Sequence, residues 1–462
     1  MTEPAASNGL PLIVGLVLGI AVLLVLILRT KTHAVLALVA AGSIAGLVGG
    51  MTPNAVVTSL TTGFGSTLST IGLVIGFGVM MGRILEVSGA AERIAFSLIR
   101  WLGEKRVDWA LVFTGYIVSI PIFCDSAFVI LSPLTKALAK ATRKSVITLG
   151  VCLAGGLVLT HHCVPPTPGP LGTAGIFGVD VGLMILWGII FTLPPLPLLV
   201  WYARRIGPRI EAKIGREERD MEACQAFETF KDKATEREKE LPSLTLSLAP
   251  IVIPIFLIFL NTGASLFPAA KGTLLVQTLS FIGNPVISVG LGVALAAYTL
   301  VPGRPRAQVI ADMEVGVESA GIILLVTGAG GALGAVLRDS GAGTIIGHYA
   351  AGLPLPPILI PFVIATIVRL IQGSGTVAMI TSASISAPIL MNIPDVNMAL
   401  AAQASCVGSM FCSYFNDSYF WVVNRILGIK EAKYQLKTWS VTTTLLWATS
   451  LVTLLIANAL FG

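Results

Sequence analysis

The chain has 462 residues, 55% hydrophobic and only 12% charged, with a mean hydropathy of +0.87. That is too little polar surface for a water-soluble domain, so the composition excludes a soluble globular protein and points to a lipid-facing one. The net charge of +6 is no nucleic-acid signature: it reads as basic loops against an anionic leaflet, and the stretch from Tyr202 to Pro242 alone holds ten basic and ten acidic residues.

A spanning helix needs about 20 apolar residues. In chain order the first candidates are 10–28, 34–50 and 71–87. The first run follows neither a basic n-region nor a clear cleavage site, so it reads as a retained span. The run 108–140 is apolar around a polar centre, Cys124-Asp125-Ser126, which predicts a re-entrant hairpin. The run 146–180 is broken by Pro165, Pro166 and Pro168, each lacking the N–H that a helix requires. A closing span, 182–201, precedes the charged loop 202–242, whose alternating signs suggest solvated helix and whose composition suits a linker. Then come 243–261, 286–301 and 320–337. A second folded run, 354–391, surrounds Ser374-Gly375-Thr376; a second interrupted run, 397–427, carries Ser413 to Tyr419; the last span is 440–461.

Basic residues cluster at Arg29 and Lys31, Arg93 to Arg106, Lys136 to Lys144, 202–242, Arg304 and Arg306, and Lys430 to Lys437. Placing these in the cytoplasm leaves only Lys271 and Arg338 outside and puts both termini in the periplasm. Of the six cysteines, five lie in apolar segments and none forms a CxxC pair, which predicts buried reduced thiols rather than disulfides or metal ligands.

The halves resemble each other. A slide of 252 residues (340 − 88) aligns Ser88-Gly89-Ala90 with Ser340-Gly341-Ala342, and Gly76, Gly78, Gly82, Leu85 and Ile94 with Gly328, Gly330, Gly334, Leu337 and Ile346. With the topology above the copies run in opposite directions, which is the inverted repeat of alternating-access carriers. The expected fold is therefore all-α and membrane-integral: inverted repeats at 1–201 and 243–462 joined by the loop 202–242, about ten transmembrane helices, two re-entrant hairpins and two broken helices.

Unwound backbone at mid-membrane depth is tolerated only where protein buries it or it lines a cavity, so the hairpin tips predict the substrate chamber. Asp125 at the first tip either carries the coupling proton or caps the following helix. Arg369, five residues before Ser374, lies about 7–8 Å below the second tip and either grips a carboxylate or pairs with an internal acid. His161 and His162 precede the first break; either suits proton exchange, expected of His161, a hydrogen bond to a substrate hydroxyl, expected of His162, or packing against a carbonyl, and adjacent helical positions let at most one face the chamber. Asp417 in the second break reads as a second proton group or a helix cap. Ser126, Thr167, Gln372, Ser374, Thr376 and Asn416, with the backbone at Gly375, offer the neutral hydrogen-bonding groups that a polyhydroxylated acid requires. Glu86 and Asp339 lie near helix ends and read as facing interface water. No GxxxxGK[ST] supports ATP coupling, no charge series supports a channel, and no nucleophile–base spacing supports an enzyme.

The motifs PIFCDSAFVILSPL, HHCVPPTPGPLGTAGIFGVD, RLIQGSGTVAMITSASI and LKTWSVTTTLL resemble the gluconate permease family, the gluconate:proton symporters of the ion transporter superfamily, over essentially the whole chain. The resemblance implies two inverted repeats, a homodimer, and a sugar acid as substrate, gluconate first. Other members carry D-serine or other hydroxy acids. It implies no bound cofactor; proton motive force drives transport, with sodium as the alternative. The tip Cys124-Asp125-Ser126 departs from the bulkier, often Glu-containing tip expected of typical gluconate carriers. The partners expected are the small anion and the bilayer, with no nucleic acid.

Overall fold

A computed structural model describes residues 10–30, 32–214, 236, 239–265, 273–352 and 355–462. Most of the charged linker, including Cys224, lies outside these residues, as does Lys271. Among the described residues every regular element is helical.

The first half runs α1 (Leu10–Leu28), α2 (Ala34–Val48), α3 (Pro53–Val87), α4 (Ala90–Leu102), α5 (Val107–Val118), α6 (Cys124–Thr142), α7 (Val146–Cys163), α8 (Pro168–Phe177), α9 (Val181–Thr192) and α10 (Pro195–Lys213). The second runs α11 (Leu244–Ser265), α12 (Leu274–Ile282), α13 (Pro285–Thr299), α14 (Arg306–Asp339), α15 (Ala342–Ala351), α16 (Leu359–Gln372), α17 (Gly375–Leu390), α18 (Met398–Gly408), α19 (Ser418–Ile426) and α20 (Ala432–Phe461), the last with a π-helical turn at Leu436–Ser440.

Several boundaries differ from the sequence reading. The span expected at 71–87 starts at Pro53, behind a Thr52 cap that accepts from the Ala55 N–H. Its hydroxyl-rich first half dilutes the hydropathy, but Thr58, Thr61, Ser66, Ser69 and Thr70 donate back to carbonyls three or four residues earlier, so the helix continues. The span expected at 320–337 likewise starts at Arg306. Residues 202–213 of the expected loop are helical, because the basic face of α10 docks on the first hairpin. Among the described residues six helical stretches, with α7–α8 and α9–α10 each taken as one, are long and apolar enough to cross a bilayer, or seven if α12 and α13, bent by 60°, form one span. The remaining apolar helices are shorter, among them Ala34–Val48, both arms of the second folded run, and α18.

Both folded runs double back. Lys144, just past α6, donates to the Lys105 carbonyl at 2.9 Å and lies 3.8 Å from Asp108, which is buried and also paired with Arg204 of α10. The two feet of the first hairpin therefore sit together, as far as possible from its tip at Cys124. In the second, Ser382 of α17 donates to the Pro361 carbonyl of α16 at 2.6 Å.

The longest helices, α3 and α14, pack along each other through small residues, as helices in lipid do. A Cβ on Gly63 would stand 2.5 Å from both the Gly331 carbonyl and the Ala335 Cβ, whereas one on Gly65 would meet nothing within 4 Å. Gly63→Val is therefore expected to destabilise the detergent-solubilised protein by about 1–3 kcal/mol, from overpacking. Gly65→Val should leave the melting temperature within a degree or two of wild type, since the change in α-helix propensity favours Val by only a few tenths of a kcal/mol.

Candidate functional site

The two hairpin tips and the second helix break enclose a cavity of about 540 Å³. Three helices begin at its wall. Cys124, Asp125 and Ser126 form the first turn of α6; Gly375, Thr376 and Val377 the first turn of α17; Ser418 and Tyr419 that of α19. First-turn N–H groups have no intrahelical partner, and the helix dipole gives each such end partial positive charge, so the chamber favours an anion.

Arg369, at the end of α16, is buried. One of its terminal nitrogens lies 2.5 Å from Asp417 Oδ2 and the other donates to the Gly373 carbonyl. Its Nε is buried without a partner. Asp417 also accepts from Ser413 Oγ and, through Oδ1, from the Tyr419 N–H at 3.1 Å, which makes it the cap of α19 as well. Ser413 is braced in turn by Trp439 Nε1 at 2.9 Å, from the π-helical turn of α20, which gives the LKTWS motif a physical role. The internal-pair reading of Arg369 and the cap reading of Asp417 thus both describe contacts that exist.

Asp125 accepts from Ser418 Oγ at 3.4 Å and from the Cys124 thiol at 3.6 Å. It faces the chamber with no cation bonded to it. The cap position of α6 belongs to Phe123, which has no side-chain hydrogen bond to give.

The second tip is tied to the second break. Tyr414 Oη donates to the Leu370 carbonyl at 2.5 Å, and Asn416 Nδ2 reaches the Leu370 and Ile371 carbonyls at 3.2 and 3.4 Å. Gly373 takes a positive φ of 86° to make this turn, and a side chain there would strike Asn416. Ser374 caps α17 through the Val377 N–H at 3.4 Å.

Of the residues singled out in the sequence, Ser126, His161, His162, Arg369, Gln372, Ser374, Gly375, Thr376, Asn416, Asp125 and Asp417 border this cavity, and Thr167 does not. The Thr167 hydroxyl turns back to the Val164 carbonyl at 2.6 Å and is buried within the first break. That break packs its prolines against α3, where the Pro166 carbonyl lies beside Gly78, so it buttresses the chamber without lining it. The expectation that at most one histidine faces the chamber also fails. Both lie in the last turn of α7, where the chamber wraps around the helix end. His162 Nδ1 donates to the Val158 carbonyl at 2.9 Å, leaving Nε2 as a bare acceptor, and His161 Nδ1 is buried without a partner. Gln372 Oε1 is likewise unpartnered.

The sequence reading assigned no chamber role to Phe123, Tyr419, Ile322, Ile323 or Val326. The last three come from α14, where an apolar residue facing a cavity reads the same as one facing lipid. Among the described residues no cluster of His, Cys, Asp and Glu is arranged to hold a metal ion.

These features define a polytopic helical membrane protein with a buried, polar, anion-friendly chamber. The GntP family permease model matches residues 11–460, and the chain belongs to that family. It is 54% identical to an uncharacterized permease of Haemophilus influenzae, over 98% of this chain and 94% of that one. It is 34% identical to the gluconate permease of Pseudomonas aeruginosa, over 94% of this chain and 95% of that one. The fold matches that of Neisseria gonorrhoeae MtrF, of a class of antimetabolite efflux pumps, with a TM-score of 0.66 at 15% identity, covering 95% of this chain and 97% of that one. The protein is a multi-pass membrane transporter and not an enzyme.

The Arg369–Asp417 pair sets a quantitative expectation. Asp417→Asn strands a buried guanidinium and should cost about 3–5 kcal/mol of stability. Arg369→Gln should cost a similar amount, and the double variant less than the sum of the two. A melting-temperature cycle on purified protein reads that coupling; strict additivity would mean the pair carries no interaction energy.

Proposed function

We propose that the protein is a proton-coupled symporter that imports a sugar acid, gluconate first, across the bacterial inner membrane. One observation carries this reading: the charge count of the chamber. Arg369, Asp125 and Asp417 are its charged side chains among the described residues, giving a fixed net charge of −1 with both histidines neutral. Three helix N-termini offer an anion good donors, yet the surplus carboxylate opposes it. At an effective dielectric of ~20, like charges about 4 Å apart repel by about 4 kcal/mol, roughly a thousandfold in affinity. A proton taken up at Asp125 removes that repulsion, so anion and proton bind best together. The loaded chamber then carries no more net charge than the empty one.

The choice of a proton over sodium rests on the second tip. The carbonyls of Leu370, Ile371 and Gly373, which would serve a sodium ion, already accept from Tyr414, Asn416 and Arg369. Arg369 stands between a carbonyl and a carboxylate, where a bound cation would otherwise be needed.

For the sugar acid, the bare His162 Nε2 and Gln372 Oε1 are acceptors that hydroxyl groups satisfy, while Arg369 Nε and the α17 N–H groups suit a carboxylate. Movement follows from two inverted repeats, 1–201 and 243–462, with about ten crossings, both termini outside, and hairpins that expose the chamber to each face in turn. A homodimer fits the lipid setting, each protomer carrying its own chamber.

A second reading is favoured by the free carboxylate of Asp125. A zwitterion such as D-serine brings its own ammonium group and would neutralise the chamber without a proton.

The test is uptake of labelled gluconate into liposomes under an inward proton gradient. Accumulation that collapses with an uncoupler and ignores sodium is expected. Asp125→Asn should abolish accumulation while preserving gluconate exchange across the same membrane. Failure of gluconate to accumulate, with D-serine accumulating instead, would move the assignment to the zwitterion.

A further inference from the structure

Two smaller cavities flank the chamber. One, of about 150 Å³, lies at the end of α3 and is bordered by Gly82, Arg83 and Glu86; the other, of about 140 Å³, lies at the end of α14 and is bordered by Gly334, Ala335 and Arg338. The 252-residue slide that aligns the two halves maps one set onto the other: 334 − 82, 335 − 83 and 338 − 86 each equal 252. The cavities are therefore repeat-related, and each holds one arginine, offset by a single helical turn. Each arginine is held by a neighbouring acid. Arg83 lies 2.9 Å from Glu86 and 3.9 Å from Asp312, and Arg338 lies 3.1 Å from Asp339. The Nε of Arg83 is buried with no partner.

Building on the transport reading above, we infer that these cavities are the two mouths of one anion path, with Arg83 and Arg338 its carboxylate-binding sites, one at each face. The α3 end adjoins Arg93, Arg100 and Lys105, which assigns Arg83 to the cytoplasmic mouth, and Arg338 then serves the outer one. The Arg83 cavity shares Phe123 and Ser126 with the central chamber, while the Arg338 cavity shares no residue with it. Among the described residues the chamber therefore adjoins the Arg83 cavity and not the Arg338 cavity. The Arg83–Glu86 pair is partly exposed and therefore weak, so a substrate carboxylate takes the acid's place on the guanidinium. The acid then recovers the arginine and displaces the substrate into bulk water.

The test is sided exchange in vesicles of known orientation, combined with thiol labelling. Arg83→Gln should raise the half-saturation concentration at the cytoplasmic face about tenfold and leave the outer face unchanged, and Arg338→Gln should do the reverse. Glu86→Gln should lower the cytoplasmic value, since it frees Arg83. A merely structural Arg83–Glu86 pair predicts that both variants impair both faces alike, and that result would overturn the inference. The labelling arm needs no transported substrate. With Val315→Cys in the same cavity, on a background lacking the native cysteines, an anionic thiol reagent should outpace a cationic one of equal size, and Arg83→Gln should abolish that preference. An unchanged preference would overturn the inference. A lost preference in a protein whose wild type moves no sugar acid would keep the anion path and discard the sugar-acid reading.

Discussion

Lipid supplies no hydrogen bonds, so a chain that interrupts its helices within the membrane must satisfy every freed N–H and C=O from inside the protein. The chamber is organised by that constraint. At the second tip the Leu370, Ile371 and Gly373 carbonyls are met by Tyr414, Asn416 and Arg369, all but the last drawn from the second break. At the first break the Cys163 carbonyl, freed where α7 ends, accepts from Gln403 of α18 at 2.9 Å. The first break and the second tip are thus closed by side chains from elsewhere in the fold, while at the first tip Ser119 donates to the nearby Ile122 carbonyl. The carbonyl ends are consumed in this way, while of the three N-termini at the cavity α17 gives its Val377 N–H to Ser374, α19 its Tyr419 N–H to Asp417, and α6 has no side-chain cap.

Charge placement obeys the same economy. Arg369 completes the tip and neutralises Asp417, and Asp417 caps α19 while Trp439 and Ser413 hold it in place. Both Asp417 oxygens are engaged in that group, while Arg369 Nε has no partner. Asp125 differs: its bonds come from a hydroxyl and a thiol, both neutral and both long. A carboxylate in that setting exchanges a proton at small structural cost, since losing its charge breaks no ion pair.

Much of this was legible in the sequence because backbone chemistry is local. Pro165, Pro166 and Pro168 announce a break wherever they fall, and Gly373 and Gly375 announce a turn. A charge inside an apolar run, such as Arg369 or Asp125, stands out against its neighbours. Facing is a different matter. Thr167 and Thr376 look alike in sequence, yet one folds back on Val164 and the other borders the chamber, because that depends on packing between distant helices. The same ambiguity hid Ile322, Ile323 and Val326. Helix ends were misjudged where hydroxyls diluted the hydropathy, as in residues 53–70, since the back-bonding that sustains such a helix leaves no mark on a hydrophobicity profile.

The repeat ties these observations together. Identical positions in the two halves need not keep identical side chains. Gly82 and Gly334 align where a Cβ would stand 2.1 Å from the Pro121 carbonyl and 3.3 Å from the Ser384 carbonyl, whereas Glu86 aligns with Arg338 and Arg83 with Ala335. Close-packing positions are constrained by sterics at both ends of an alternating structure, while cavity-facing positions are constrained only by the charge that each face must present. A carrier whose two mouths face different compartments has reason to let the latter diverge. The S-G-A turns and glycines that align between the halves lie where helices pack closely, and the charged residues beside them differ between the halves. In this chain each of the two flanking cavities is bordered by one arginine, at positions one helical turn apart in the aligned segments, the pattern expected where charge rather than residue position is what an anion path requires.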